Sequence, residues 1–398
     1  MIKKGIIIII VLGLGGFSMA QTNIQDIARE IISNNLSIKA RVLENEMRIL
    51  EDKGSMLPED PEIVGAYLWG SPSFIGNRTN LAAHQKIKFP TYYGIQKNVN
   101  KISSELYDTE LDLELNVVLF EIVDILIDMA SVNEIQIQLS ERFERLTNIS
   151  DIAARMFEVG ETNRIEMEKA KLMVDTYRQD ILMLESEESV LNRRLKAINS
   201  DIPLAEFDLN FDDFVRLFKS LEYGEYNTDN PAINYADVNK RLASAGIELS
   251  KTGFLPDLQM GYASEAINGE KLAGVEMGIS IPLWGKPNQV KKAKIKKDLS
   301  GKRLELTSQI IESEWDNARE MANKFLEIKN NLEASLSSLK AMDLLEKSWE
   351  LGEISLLDYL KELPFYYGVE DRVVEAEKKY YKALLEQNKY HLGILFGM

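Results

Sequence analysis

The chain has 398 residues, with 47 Lys and Arg against 63 Asp and Glu, a formal charge of −16, which is a poor match for nucleic acid. It has no cysteine and only His84 and His391, so disulfides, thiol catalysis, thiolate metal sites and a lipid-bearing cysteine are excluded, and imidazole chemistry is nearly absent. No Gly-rich phosphate loop, serine-nucleophile motif or metal-spaced histidine cluster occurs, so no catalytic, cofactor or metal site is expected and the chain does not read as an enzyme.

Residues 1–20 read as a signal peptide: Lys3 and Lys4, an apolar run from Ile6 to Leu14, and the small-residue end Ser18-Met19-Ala20 before Gln21. That run is shorter than the roughly 20 residues a membrane-spanning helix needs. No later segment is both long and uncharged enough to span as a helix. The mature chain is therefore soluble or crosses a membrane as β-strands.

The rest is one unit written twice. Asn35-Leu36-Ser37-Ile38 recurs as Asn230-Pro231-Ala232-Ile233, and each opens a helix-like stretch ending at Leu57-Pro58 or Leu255-Pro256. Ile87-Lys88-Phe89-Pro90 matches Ile279-Ser280-Ile281-Pro282, and Phe157-Glu158-Val159-Gly160-Glu161 matches Trp349-Glu350-Leu351-Gly352-Glu353. The interval from Pro90 to Gly160 equals that from Pro282 to Gly352. The first unit spans 21–199 and the second 230–398, with 200–229 as a connector whose Asp201, Pro203, Gly224 and 227–230 break the helical pattern.

Within each unit a short helix precedes two strands. Alternating apolar residues place strands at about 62–70 and 81–89, then at about 257–265 and 274–282. In the second pair Leu258, Met260 and Tyr262, and Val275, Met277, Ile279 and Ile281, share one face. In the first pair Leu81, Ala83, Ile87 and Phe89 lie opposite His84, Lys86 and Lys88. Such strands are either half-buried in a soluble sheet or lipid-facing in an outer-membrane barrel. Four of them cannot close a barrel, so the barrel alternative demands oligomerisation.

A long helical hairpin follows each pair, at about 91–199 with its turn at Gly160 and at about 287–396 with its turn at Gly352. Residues 95–159 contain neither Gly nor Pro, and 288–351 contain only Gly301, enough for helices of about 100 Å. Pro287 suits a helix start, and patterns this long indicate a coiled coil or helical barrel. Residues 115–129 are apolar on most of the helix circumference. Glu121, Asp124 and Asp128 form one acidic stripe that faces water, either outside an assembly or lining a pore.

Two segments carry a family resemblance: Ile281-Pro282-Leu283-Trp284, and Leu351-Gly352-Glu353-Ile354-Ser355-Leu356-Leu357-Asp358-Tyr359-Leu360. With the duplicated strand pair and hairpin, the chain resembles the TolC-like outer-membrane efflux proteins over essentially its whole mature length. The resemblance implies a mainly α protein with membrane β-structure. Three chains would supply four strands each to one twelve-stranded β-barrel in outer-membrane lipid, continuous with a periplasmic α-helical barrel.

It also implies partners, a periplasmic adaptor and an inner-membrane pump, by default a proton-driven pump of the resistance-nodulation-division class. Gly160, Glu161, Thr162, Gly352, Glu353 and Ser355 match the adaptor-contacting tip, and Asp358 matches an acidic constriction ring. Its alternative role is a first-turn acid at a helix N-terminus. Lys361 stands where a second ring acid is often found, and Pro364 is expected to kink or interrupt the returning helix. The competing readings are a periplasmic adaptor, which predicts a single hairpin between β-domain halves, and a structural coiled-coil envelope protein without a channel.

Overall fold

The computed structural model describes residues 24–205, 207–219, 230–282, 287–339 and 341–397. The expected signal peptide, Leu283 and Trp284 of the first signature, and residues 220–229 of the connector lie outside them.

The chain begins with α1 (Ile24–Asn34) and α2 (Leu36–Gly54), separated by Asn35, whose side chain accepts from the Ile38 N–H and so caps α2. Strands β1 (Glu62–Leu68) and β2 (Arg78–Ile87) follow, then α3 (Pro90–Glu158) and α4 (Arg164–Ile198). The connector, read from sequence as a helix-breaking segment, holds α5 (Phe211–Lys219). Its Phe211, Phe214, Leu217 and Phe218 recur at helical spacing and are buried. Helix α6 (Pro231–Lys251), capped by the Asn230 side chain, leads to β3 (Asp257–Ile267) and β4 (Glu270–Ser280). Helices α7 (Pro287–Leu339), α8 (Ala341–Glu350), α9 (Leu356–Gln387) and the short α10 (Leu392–Leu395) complete the described chain.

The four strands form one antiparallel sheet in the order β1-β2-β3-β4. The pairing of β2 with β3, Arg78 opposite Ile267 and Ile87 opposite Leu258, joins strands distant in sequence. The outer edges of β1 and β4 have no partner strand in the sheet. Strands β2 and β4 begin three and four residues before the boundaries read from alternation and β3 ends two residues after, because the hydrogen-bonded ladder continues through polar residues such as Arg78, Glu270 and Lys271 that carry no apolar signal, while β1, β2 and β4 each end two residues early.

Helix α3 is 69 residues long, about 100 Å at 1.5 Å per residue. Pro90 sits in its first turn, where a missing N–H costs nothing. A helix of this length is stabilised along its flanks rather than by propensity alone: α3 packs against α4, α6 and α9, and α7 packs against α6 and α9. Among the described residues three apolar clusters lie along the bundle. The largest joins α1, mid-α3, α5 and the end of α9. There Tyr381 stacks on Phe211 with ring centroids 5.4 Å apart, and Leu119, Ile122, Val123, Ile125, Leu126 and Ile127 are fully buried, as an all-round apolar helix segment requires.

A second cluster lies toward the hairpin turns around Leu146, Tyr359, Leu363 and Tyr367. Helix α9 runs through Pro364 without a break. The buried Leu360, Leu363 and Tyr367 on either side of the proline hold the helix against its neighbours, which offsets the lost backbone bond.

Candidate functional site

The sheet has two chemically different faces, set by period-two alternation and by the register, since residues directly opposite each other share a face. One carries Ile63 and Tyr67 of β1, Leu81, Ala83 and Ile87 of β2, Leu258, Met260 and Tyr262 of β3, and Val275, Met277 and Ile279 of β4. Most of these large side chains are exposed, Ile63 by 74% and Met277 by 79%. Among the described residues none covers this face.

The other face carries charge. Arg78 bonds Glu265 across β2 and β3 at 2.7 Å, and His84 Nδ1 lies 3.6 Å from Glu276 of β4. Gly261, directly opposite His84, makes that reach possible: a Cβ there would come within 2.5 Å of His84 Nδ1. Strand β1 alternates less cleanly, with Val64 and Leu68 on the charged face. No described helix is long and apolar enough to cross a membrane.

At the far end of the helices the two hairpin turns share one hydrogen-bond pattern. Gly160 N–H bonds the Phe157 carbonyl and Glu161 N–H the Met156 carbonyl, while Gly352 N–H bonds the Trp349 carbonyl and Glu353 N–H the Ser348 carbonyl. Both glycines have positive φ, 78° and 72°, the left-handed conformation that closes a helix C-terminus in this way. Asn163 then caps α4 and Ser355 caps α9. Gly160, Glu161, Gly352, Glu353 and Ser355 are exposed and Thr162 is half-buried, with Val159, Ile165 and Leu351 each at least 70% exposed beside them.

Asp358 belongs to the α9 cap. Its N–H donates to Ser355 Oγ at 3.1 Å, Ser355 Oγ donates back to its carboxylate at 2.7 Å, and Lys361 Nζ lies at 3.3 Å. The Ser355 hydrogen bond, then Lys361, hold its carboxyl below the usual range.

The acidic stripe divides. Glu121 is exposed, whereas Asp124 and Asp128 meet α9: Lys382 Nζ is 2.7 Å from Asp124 and 3.0 Å from Asp128, and Lys378 Nζ is 2.9 Å from Asp128. Burial works against the Lys382 ammonium, but the two aspartates outweigh it and its pKa is raised. The i, i+4 spacing of Lys378 and Lys382 mirrors that of Asp124 and Asp128, a complement visible in the sequence but paired only by the antiparallel packing of α3 and α9.

A second inter-helix centre gave no sequence-level warning beyond its position. Arg142 lies on the apolar stripe with Leu139, Leu146 and Ile149, only 5% of its side chain exposed. It donates to Asp371 at 2.7 Å, to Glu370 at 2.9 Å, to Gln138 at 3.0 Å and to the Tyr367 carbonyl.

No family model matches the sequence, and no curated protein matches it significantly. Solved structures do match. CusC superposes with a TM-score of 0.74 at 12% identity, covering 93% of this chain and 92% of that one. The CmeC outer membrane channel of Campylobacter jejuni gives 0.73 at 17% identity over 94% and 85%, and the outer membrane protein VceC of Vibrio cholerae 0.73 at 11% over 92% and 95%. The chain has the fold of these outer-membrane channel proteins. At these identities it is the fold that is shared, and the resemblance read from the Gly352 segment and the paired strands and hairpins reaches the same group of proteins. The match spans more than nine-tenths of the chain, too much to be confined to its helices.

Proposed function

We propose that this protein is an outer-membrane channel subunit of a tripartite export system, built from a duplicated unit and working as a homotrimer. The observation that carries the reading is the four-stranded sheet, with an exposed apolar face, a charged opposite face and two unpaired edges. An open edge in a bilayer leaves backbone groups unsatisfied at several kcal/mol each, so β4 of one subunit pairs with β1 of the next until the barrel closes. The apolar face then meets lipid and the Arg78–Glu265 and His84–Glu276 face lines water. The helices extend the conduit into the periplasm.

The tips around Gly160 and Gly352 are the surfaces for a periplasmic adaptor coupled to an inner-membrane pump. Their exposed Val159, Ile165 and Leu351 support that reading, because isolated tips have no folding reason to present apolar side chains. Asp358, repeated around three subunits, narrows the entrance, with Lys361 partly neutralising each carboxylate. Two hairpins and a sheet built from both strand pairs argue against an adaptor, and the uncovered apolar sheet face argues against a soluble coiled-coil protein.

The test is to express the full chain in a Gram-negative host and run outer membranes, boiled and unboiled, on a denaturing gel. A heat-sensitive band near three times the monomer mass in that fraction is expected. A soluble periplasmic monomer would overturn the reading.

A further inference from the structure

The two long helices that leave the sheet are basic where they begin, in a chain that is otherwise acidic. Helix α7 starts at Pro287 and presents Lys291, Lys292, Lys294, Lys296 and Lys297 before its first acid, Asp298. All five are exposed, and among the described residues none has an acidic partner within 4.0 Å. Helix α3 likewise carries exposed Lys97 and Lys101 before its first acid, Glu105.

On α7 four of these five lysines fall on two sides, with Lys297 between them. Lys291, Lys294 and Lys302 share a side with Asp298 and Glu305, and Lys302 pairs with Glu305 at 2.7 Å. Lys292, Lys296 and Arg303, at i, i+4 and i+11, form a row with no acid among them. Lys291 and Lys292, the nearest to the start of α7, also lie toward the positive pole of the helix dipole. Among the described residues no acid pairs with Lys292, Lys296 or Arg303, so an external anion is the natural counterpart.

The level of the row identifies the anion. Lys292 to Arg303 lie within about 25 Å of the start of α7, at 1.5 Å per residue. The apolar sheet face ends at this same junction, where α3 begins three residues after β2. Tyr92 and Tyr93, packed edge to face with centroids 5.4 Å apart, occupy the first turn of α3, and Phe254 is 46% exposed just before β3. Apolar band, aromatic residues, then cations is the order of chemistry across a bilayer surface.

We propose that Lys292, Lys296 and Arg303 form a docking row for the headgroups of anionic phospholipids in the membrane leaflet facing the helices. This rests on the channel reading, since it requires the sheet to lie in a bilayer. A cation close to an anionic membrane surface strengthens binding by roughly fivefold, an effect that fades over about 8 Å, so Lys292 contributes most, and Lys296 and Arg303 successively less, to a preference for phosphatidylglycerol over phosphatidylcholine.

The experiment is native mass spectrometry of the detergent-purified full-length protein, titrated separately with the two lipids. The wild type should retain phosphatidylglycerol preferentially, and the triple variant Lys292→Gln/Lys296→Gln/Arg303→Gln should lose that preference by about tenfold or more. A control with the same charge change far from the sheet, Lys171→Gln/Arg194→Gln/Lys347→Gln, should keep it. No preference in the wild type, or the same loss in the control, overturns the proposal. So does a changed ion selectivity of the reconstituted triple variant with lipid retention intact, because the row would then face the tunnel. Outer-membrane fractionation of the wild type reports separately on the channel reading.

Discussion

Arg142 on α3 donates to Asp371 on α9 at 2.7 Å, and its guanidinium is nearly sealed from solvent while the carboxylate is half exposed. The asymmetry matters for mutagenesis. Removing Arg142 leaves two carboxylates that can rehydrate, whereas removing the carboxylates leaves a buried cation.

The double variant Glu370→Gln/Asp371→Asn should therefore cost about 3 kcal/mol or more, and Arg142→Met about 1–2 kcal/mol, mainly in lost hydrogen bonds. Thermal unfolding of the detergent-purified protein, followed by near-UV circular dichroism, gives the order. The opposite order would mean that the guanidinium is more hydrated than its surroundings indicate.

At the hairpin turns, open space surrounds Gly160 and Gly352, so backbone conformation alone governs substitution. Alanine at either position should destabilise the turn by about 1 kcal/mol, asparagine by less, and valine by more because branching at Cβ is poorly tolerated at positive φ. Hydrogen exchange of the turn amides would read this series. Equal protection in all variants would contradict the left-handed assignment.

Glu377 of α9 pairs with Lys329 of α7 at 2.7 Å. Burial pushes its carboxyl up, Lys329 pulls it down, and Glu333 and Glu134 add to the rise, leaving a raised value. A carboxyl with a raised folded pKa binds its proton more tightly in the folded state. Stability at this site is thus lower at neutral pH and recovers as pH falls through the folded pKa toward the ordinary carboxylate value of about 4.3. Relative to Glu377→Gln, the wild type should gain stability over that window. Lys329→Met should widen the effect, because the buried carboxylate loses its cation. Denaturation midpoints at several pH values test both, and a flat difference would rule out the assignment.

Barrel closure can be probed directly because the chain has no native cysteine. Gly65→Cys in β1 and, in turn, Val275→Cys, Met277→Cys or Ile279→Cys in β4 introduce thiols on the same sheet face. One of these pairs should form an intersubunit disulfide under oxidation and give covalent dimers and trimers on a boiled gel. Absence of cross-linking across all three would argue that β1 and β4 do not meet between subunits.

Much was legible in the residues themselves because it depends on local periodicity. Alternation in β3 and β4, the absence of Gly and Pro through 95–159, Pro287 at a helix start and glycines at the two turns are all properties of short stretches of chain. The apolar circumference of 115–129 likewise required burial whatever surrounded it. What the linear order could not contain was which stretches meet. The β2–β3 pairing unites strands some 180 residues apart, and the packing of α3 on α9 turns Asp124 and Asp128 from a bare acidic stripe into partners of Lys378 and Lys382. The same packing makes Arg142 an interior cation. Helix α5 is not legible in the sequence, because nine residues flanked by Asp, Asn and Gly have the composition of a loop and become a helix where Phe211, Phe214 and Phe218 pack on the Tyr381 ring. Local chemistry decided the elements; long-range packing decided which charges and which faces were left for water, lipid and other subunits.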